Sequence, residues 1–220
     1  MSRALASVRG LAGLVLLGLG LAGFKAETAV VGSPVADFRL RDVRNQAVSL
    51  ADFKGARGFI VVFTCNHCPF AKLYTARLNA LSRKYQPLGV PLLAINSMDT
   101  VVYADESFRN MQLRAQTEKF SFPYLHDARQ TVGRSFRAEH TPQTYVIWRE
   151  DHQWKIKYSG AVDDNGAVPA QVKNPYVALA VDELLAGKPV AKPQCSVASD
   201  RALPSDDLSN SIWRYANLTG

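Results

Sequence analysis

Two cysteines separated by two residues, Cys65 and Cys68, are the part of this chain whose residue types and spacing most directly indicate chemistry. Two thiols at this spacing can close into a disulfide and open again, and the attacking species in that exchange is a thiolate. Between them stand Asn66 and His67, and a positively charged His67 would favour the thiolate form. The Cys-Asn-His-Cys motif therefore predicts thiol redox chemistry, with Asn66 and His67 tuning the pKa of the thiols.

The elements on either side of the motif indicate how the two thiols are positioned. The apolar run Gly58–Phe63 predicts a buried strand, and residues 69–78 predict the start of a helix. The N-terminus of a helix carries partial positive charge, which stabilises a nearby thiolate. We therefore expect Cys65 to lie exposed at the start of the helix, with a lowered pKa, and to act as the nucleophile. Cys68 would lie one turn inward and resolve the mixed disulfide.

Strands and helices alternate along the rest of the chain, which predicts an α/β fold with a central mixed β-sheet flanked by helices. Strands are expected at 35–42, 47–50, 59–64, 89–96, 122–125, 143–148 and 153–160. Helices are expected at 68–86, 104–119, 128–136 and 176–186, the third of them capped by Asp127. The first two strands would form an N-terminal hairpin extension.

The composition fits one globular domain, which we place at residues 32–188. The chain has 220 residues, of which 47% are hydrophobic. Residues 189–220 form a tail rich in Pro, Ser and Asp, with a short apolar stretch at 212–215. The formal net charge is +7, yet the basic residues are scattered and no run of five like charges occurs. This pattern argues against a nucleic-acid partner.

The first residues have the character of a targeting segment, which we assign to residues 1–24. Arg3 and Arg9 precede an uncharged apolar stretch, residues 11–24, that is shorter than the roughly 20 residues needed to span a bilayer. A signal peptide is the preferred interpretation, and an uncleaved anchor that tethers the protein to the membrane through residues 11–24 is the alternative. Both predict an exported protein in the periplasm or another extracytoplasmic space, where cysteine pairs persist oxidised.

The third cysteine, Cys195, leaves an odd thiol in a chain with too few cysteines for a disulfide scaffold. It could be a further redox thiol, an intermolecular link or a spare thiol. A zinc site at the cysteine pair would need two more ligands at regular spacing. Neither Cys195 nor the histidines elsewhere, His126, His140 and His152, supply such a pair. We therefore expect no metal and no tightly bound cofactor.

Residues 34–165 resemble the redoxin branch of the thioredoxin superfamily, which includes the alkyl hydroperoxide reductase/thiol-specific antioxidant group. The segments that carry the resemblance are 37–40, 48–50, 58–68, 93–96, 122–127 and 141–147. The resemblance implies a thioredoxin-like fold with an N-terminal extension, and with a strand and a helix inserted before the downstream Pro142.

That proline is part of the second candidate constellation, Thr141-Pro142, which directly precedes the strand predicted at 143–148. Thioredoxin-like folds place a cis proline at the start of a strand that faces the cysteine pair. The resemblance therefore implies a cis peptide bond between Thr141 and Pro142. It also implies that the two residues shape the groove in which a substrate segment pairs along the backbone near Cys65.

Two departures from the family pattern limit the reactions that we expect of this protein. The peroxidatic motif of peroxiredoxins is Pro-x-x-x-Thr/Ser-x-x-Cys. If Cys68 were the peroxidatic cysteine, residue 65 should be Thr or Ser, which carry a hydroxyl, but it is a cysteine. Thioredoxin has a buried Asp six residues before its first cysteine, and here that position is Phe59. The first departure argues against an efficient peroxidase, and the second leaves the proton-transfer group unassigned.

The sequence therefore predicts a thiol-disulfide oxidoreductase whose partners are protein thiols and disulfides, with the electron donor or acceptor not specified. Two alternatives stay open. One is a thiol-dependent, peroxiredoxin-like peroxidase. The other is a metal carrier or redox sensor that uses the cysteine pair without turnover.

Overall fold

A mixed β-sheet of eight strands forms the centre of the structure, a computed structural model that describes residues 31–195. The strands lie side by side in the order β1-β8-β7-β4-β5-β6-β2-β3. Their bounds are Pro34–Val35 (β1), Arg39–Asp42 (β2), Ala47–Ser49 (β3), Gly58–Phe63 (β4), Leu92–Asn96 (β5), Tyr124–His126 (β6), Gln143–Glu150 (β7) and Gln153–Gly160 (β8).

The parallel part of the sheet, strands β4, β5 and β6, decides where the candidate site lies. β4 pairs in parallel with β5, and β5 with β6, while β7 pairs with β4 in the antiparallel sense. Every residue of β4 and β5 is buried, as expected for strands covered on both faces. Because parallel strands end at the same edge, the loops that follow β4, β5 and β6 meet there.

Helices cover both faces of the sheet. Their bounds are Pro69–Leu73 (α1), Thr75–Tyr85 (α2), Phe108–Thr117 (α3), Thr131–Phe136 (α4) and Tyr176–Leu185 (α5). Ile60 and Val62 of β4 pack into the core that holds α2, α3 and α5, whereas Phe59, Val61 and Phe63 pack into the core that holds α4. This alternation with period two is the pattern expected of a strand between two apolar layers.

The structure confirms the predicted fold class and the N-terminal hairpin, in which β2 and β3 are antiparallel. The strand expected at 35–42 is, however, divided. Its first residues, β1, pair instead with β8 at the opposite edge of the sheet. Between the two pieces, the Asp37 carboxylate accepts hydrogen bonds from the backbone N–H groups of Phe38 and Leu50. This local capping competes with strand pairing and turns the chain.

Three of the expected helices are divided or shorter than predicted. The helix expected at 68–86 is divided at Tyr74, whose buried hydroxyl donates to Asp163 at 3.3 Å. The helix expected at 104–119 starts with a separate 3₁₀ turn, Ala104–Glu106, because Ser107 caps α3 by accepting from the backbone N–H of Asn110. The helix expected at 128–136 starts only at Thr131, and its N-cap residue is Gln130 rather than Asp127. The Asp127 carboxylate nevertheless accepts from the backbone N–H groups of Thr131 and Gly133 in the first turn.

The first residues of the predicted tail lie beside the end of β8. The backbone N–H of Cys195 donates to the Ser159 carbonyl at 3.1 Å. Gly160 has φ of +153°, and a Cβ there would collide with the Cys195 carbonyl, so only glycine allows this close approach. Within residues 31–195, no helix combines the length and apolar character needed to span a membrane. The predicted targeting segment 1–24 and the apolar stretch 212–215 lie outside the described residues.

A buried ion pair holds the loop after β8 against α2. Arg77 donates from Nη1 to both carboxylate oxygens of Asp163, at 2.9 and 2.7 Å, and to the Asn165 carbonyl at 2.7 Å. Its guanidinium also stacks on the Tyr74 ring, 3.9 Å from the centroid. The exposed fractions of the Arg77 and Asp163 side chains are only 16% and 4%. Removing either partner would therefore leave a buried charge unpaired.

We predict that Arg77→Ala lowers the free energy of unfolding by about 3 kcal/mol, the magnitude typical of breaking one side of a buried ion pair. Urea unfolding of the purified protein measures this loss. The matched control is Arg83→Ala on the same helix, where the arginine is exposed and the change should stay within about 0.5 kcal/mol. Equal losses in the two variants would contradict the prediction.

Candidate active site

The two cysteines lie between the end of β4 and the start of α1, as the sequence predicts, but both are buried. Cys65 has an exposed fraction of 0% and Cys68 of 5%. They form a small cluster with Ala71 of α1 and with Met98, from the loop after β5. The structure thus places the pair at the edge of the sheet where the parallel strands end.

Thr141 contacts both sulfur atoms. Its hydroxyl lies 3.2 Å from Sγ of Cys65, and its carbonyl oxygen lies 3.6 Å from Sγ of Cys68. The Thr141-Pro142 peptide bond is cis, as the resemblance implied. The cysteine motif and the Thr141-Pro142 pair are about 75 residues apart in the chain, yet they meet at one place.

A buried carboxylate, that of Glu106, holds the loop between the cysteines. Glu106 has an exposed fraction of 0% and accepts backbone N–H bonds from Asn66 at 2.7 Å and from His67 at 2.9 Å. It also accepts from the side-chain amide of Asn96, at the end of β5, at 2.6 Å. Hydrogen bonds to an ionised acceptor are stronger than neutral ones, so these bonds fix the conformation of the motif.

Asn66 is the second buried polar group of the motif. Its side-chain oxygen accepts from the hydroxyl of Tyr124 at 2.9 Å, and its amide nitrogen donates to the Asp105 carbonyl at 2.9 Å. A buried amide is tolerated when its donors and acceptors are used in this way. Asn66 therefore joins the cysteine loop to β6 and to the turn that carries Glu106.

His67 is oriented from two sides. Its Nδ1 lies 2.5 Å from Oε1 of Glu106, and its ring stacks on Tyr103 with the centroids 5.1 Å apart. The exposed fraction of its side chain is 25%. Because a carboxylate only accepts hydrogen bonds, Nδ1 carries the proton in this contact. In the neutral imidazole, Nε2 is then the nitrogen with a free lone pair.

The two thiols are electrostatically unequal. A hydrogen bond from the Cys65 thiol lowers the pKa of Cys68 to about 5, and the backbone N–H groups of Ala71 and Phe70 assist. The same hydrogen bond raises the pKa of Cys65, and burial and the negative charge of Glu106 raise it further. The pKa of Cys68 is therefore lowered and that of Cys65 raised within the same pair.

These observations correct the expectation that Cys65 is the exposed thiol with the lowered pKa. Tyr103 and Met98 pack against the pair from the loop after β5, and Cys65 has no exposed surface. The pKa of Cys65 is raised by the hydrogen bond to Cys68, by burial and by the charge of Cys68, and the carboxylate of Glu106 raises it further. Sequence spacing cannot reveal this, because Glu106 lies on another element.

Glu106 is the site residue that sequence reasoning missed. The prediction included it in the helix expected at 104–119 and gave it no role at the site. The position where thioredoxin has its buried Asp is filled here by Phe59, which packs edge-to-face on Phe53 and Trp154. The only signal that could have pointed to Glu106 was its place after a buried strand, because the carboxyl end of that strand lies beside the motif.

Among residues 31–195, Cys65, His67 and Glu106 form a cluster of side chains that could supply donor atoms to a metal ion. One such atom from each lies within 4.8 Å of the others. The oxygens of Glu106, however, already accept hydrogen bonds from Asn66, His67 and Asn96. In this arrangement the cluster is a hydrogen-bonded network around the thiols.

Cys195 is not brought to the pair. It is buried in the core formed with α2 and α5, beside Tyr158, whereas Cys65 and Cys68 belong to a separate cluster. A role for Cys195 as a further redox thiol stays a prediction.

Comparison with known proteins agrees with this geometry. The model of the AhpC/TSA family matches residues 31–159, which is more than half of the chain. This chain belongs to the AhpC/TSA family. It is thus a redoxin oxidoreductase whose chemistry is thiol-based. No curated protein shows a significant match to it.

Two solved structures are similar to this redoxin over most of their length. An uncharacterized conserved protein from Geobacillus kaustophilus is 32% identical with a TM-score of 0.69, covering 80% of this chain and 95% of its own. A hypothetical protein from Sinorhizobium meliloti is 28% identical with a TM-score of 0.69, covering 78% of this chain and 94% of its own. Both similarities support the thioredoxin-like fold.

We predict that the reduced protein reacts with iodoacetamide well into the acid range. Because the lowered pKa of Cys68 is about 5, its thiolate persists above that pH and is lost as the pH falls through it. Alkylation rates measured from about pH 4 to about pH 9 test this, with the Cys195→Ser variant as the background that removes the third thiol. A rate that rises only near the pKa of a free cysteine, about 8.5, would contradict the prediction.

Proposed function

We propose that this redoxin is an exported thiol-disulfide oxidoreductase that reduces, oxidises or exchanges disulfides of partner proteins with Cys65 and Cys68. The proposal rests first on the contact of both sulfur atoms with one residue, Thr141, at 3.2 and 3.6 Å. With two thiols at one place, the second can resolve the mixed disulfide that the first forms. No bound cofactor is needed for that exchange.

Apolar surface around the pair favours a protein partner. Val101 and Val102 have exposed fractions of 93% and 65%, and they lie in the loop whose flanking residues Met98 and Tyr103 pack against the cysteines. Leu73, on the helix that starts after Cys68, is 45% exposed. Exposed apolar groups that cluster near a reactive site are typical of protein-binding surfaces.

Export is part of the proposal because of residues 11–24, whose apolar character indicates a signal peptide or an anchor. An extracytoplasmic protein would meet substrates whose disulfides persist. Cell fractionation of the full chain, with a cytoplasmic marker protein as control, tests this. Recovery of the whole protein with that marker would reject export.

We predict that Cys65→Ser and Cys68→Ser each reduce turnover of a disulfide-containing protein substrate to the uncatalysed rate. A single remaining thiol can form a mixed disulfide but cannot release it. The assay is reduction of insulin with a dithiol as the electron source. Cys195→Ser serves as the control and should retain turnover. Full activity in either variant of the pair would reject the proposed function.

A peroxidase is the second candidate, and one observation favours it. A hydroxyl, that of Thr141, lies 3.2 Å from Sγ of Cys65, although the hydroxyl expected at position 65 of a peroxidatic motif is missing. Stopped-flow mixing of the reduced protein with hydrogen peroxide separates the two functions. A rate no faster than that of free cysteine would dismiss the peroxidase.

The third candidate is a metal carrier or redox sensor without turnover. Cys65, His67 and Glu106 are its only clustered donor groups within residues 31–195. Purified protein with stoichiometric copper or zinc and no exchange activity would favour this candidate over an oxidoreductase.

We predict that the reduction potential of the Cys65–Cys68 pair is higher than the value of about −270 mV typical of thioredoxin. A lowered pKa stabilises the thiolate of Cys68 and hence the reduced form, which makes the pair more oxidising. Equilibration with glutathione or dithiothreitol buffers measures the potential. A value at or below about −270 mV would contradict the prediction and indicate a strong reductant.

A further inference from the structure

We propose that Arg114 of α3 is a positioning residue of the cysteine pair. Together with Glu106 it forms a clamp of opposite charges on the Cys65–Asn66 peptide group. This inference deepens the proposed exchange function and rests on it. It assigns to the two charges opposite effects on the redox equilibrium of the pair.

The Cys65–Asn66 peptide group lies where neither the sheet nor a helix supplies its hydrogen bonds. β4 ends at Phe63, and α1 begins only at Pro69. Cys65 is fully buried, and the exposed fraction of Asn66 is 7%. A buried backbone donor or acceptor that stays unpaired costs free energy comparable to a lost hydrogen bond. This peptide group therefore needs partners from another part of the chain.

Both partners are ionisable side chains of opposite sign. The carbonyl oxygen of Cys65 accepts from Nη1 of Arg114. The N–H group of Asn66 donates to both carboxylate oxygens of Glu106, at 2.9 and 2.7 Å. The positive charge thus faces the negative end of the peptide dipole, and the negative charge faces its positive end. Because hydrogen bonds to ionised groups are stronger than neutral ones, the two side chains fix the plane of this peptide group.

The guanidinium of Arg114 is held on several sides. Its side chain is 9% exposed, and Nε lies 3.5 Å from Oε1 of Glu118. Nη2 donates to the hydroxyl of Thr75 at 3.3 Å, and the guanidinium lies over the Phe120 ring, 5.6 Å from its centroid. A buried charge is costly unless it is paired and hydrogen-bonded. These contacts explain why an arginine is tolerated beside the cysteine loop.

One short segment carries both halves of the clamp. Glu106 ends a 3₁₀ turn, and Arg114 lies in α3. Ser107 joins the two elements, because its hydroxyl accepts from the backbone N–H of Asn110 at 3.4 Å. The side-chain amide of Asn110 donates back to the Ala104 carbonyl at 3.3 Å. The two charges are therefore held at a fixed separation and position the loop as a unit.

The two charges act on the redox equilibrium in opposite directions. A thiolate of the reduced pair is negative and the disulfide is neutral, so a nearby positive charge favours the reduced form and a nearby negative charge favours the disulfide. A carboxylate oxygen of Glu106 lies within 4.8 Å of Sγ of Cys65, and Arg114 contacts the carbonyl of the same residue. Loss of the Arg114 charge should therefore lower the reduction potential of the pair, and loss of the Glu106 charge should raise it.

The test measures the equilibrium of the pair with glutathione at about pH 9, where the reduced pair carries negative charge. All proteins carry Cys195→Ser, so that only the pair reacts. In Arg114→Gln we expect the reduced form to become at least about fivefold less favourable. In Glu106→Gln we expect it to become at least about fivefold more favourable. Two variants that merely loosened the loop would give no such opposite shifts.

The matched control is Arg109→Gln, which removes an exposed positive charge from the same helix. Because exposed charges are screened by solvent and salt, its equilibrium with glutathione should stay within about twofold of that of the parent protein. An unchanged equilibrium in Arg114→Gln, or shifts of the Arg114 and Glu106 variants in the same direction, would overturn the proposal.

Arg114→Lys keeps the proposal testable if Arg114→Gln does not fold. Lysine retains the positive charge but offers a single ammonium in place of the guanidinium fork. The equilibrium with glutathione should then stay within about twofold of the parent value. The NMR signal of the Cys65 carbonyl carbon should move, because its donor has changed, whereas Arg109→Lys should leave that signal in place. A Cys65 carbonyl signal that does not move in Arg114→Lys would reject the clamp.

The outcomes also separate this inference from the proposed function, because equilibration with glutathione needs no protein substrate. If the two equilibria shift in opposite directions but the intact chain fails to reduce insulin, the clamp stands and the proposed protein substrate is wrong. If the intact chain turns over insulin while Arg114→Gln has an unchanged equilibrium, the exchange function stands and the clamp is rejected.

Discussion

The hydrogen bonds accepted by the buried carboxylate of Glu106 are the constraint on which the candidate site depends. A buried charge is costly unless it is paired and hydrogen-bonded. Here the charge is compensated by the backbone of Asn66 and His67, by the His67 ring and by the Asn96 amide. The same bonds set the shape of the cysteine loop and the orientation of the imidazole. The charge of Glu106 also adds to the raised pKa of Cys65.

The sheet explains why Glu106 can reach the loop. β4 and β5 are parallel neighbours, so the segment after β5 begins beside the segment after β4. One segment carries Cys65 and the other carries Met98, Tyr103 and Glu106, which contact it. The antiparallel neighbour β7 brings Thr141 to the same edge. Three parts of the chain that are distant in sequence thereby enclose one pair of sulfur atoms.

The protein groups that surround the two thiols make them chemically distinct, although both are cysteines of one motif. Cys65 lies deeper and nearer the carboxylate, and Cys68 lies against backbone donors of the following helix. The surroundings therefore shift the pKa values of the two thiols in opposite directions.

The sequence by itself determined the fold class, the strand and helix on either side of the motif and the hairpin at the sheet edge. These follow from apolar periodicity and from motifs whose parts are local, such as Gly58–Phe63 and Cys65–Cys68. The meeting of Thr141-Pro142 with the cysteines was implied by the family resemblance, and the structure shows it. Only the tertiary structure decided what surrounds the two thiols, because the carboxylate that holds their loop belongs to Glu106, 38 residues beyond Cys68 and on another element. A buried carboxylate in a polar stretch looks like a solvated one until the fold shows that backbone N–H groups, rather than water, surround it. Local pattern fixes the elements, whereas electrostatics at the site depends on distances across the sheet that no local pattern contains.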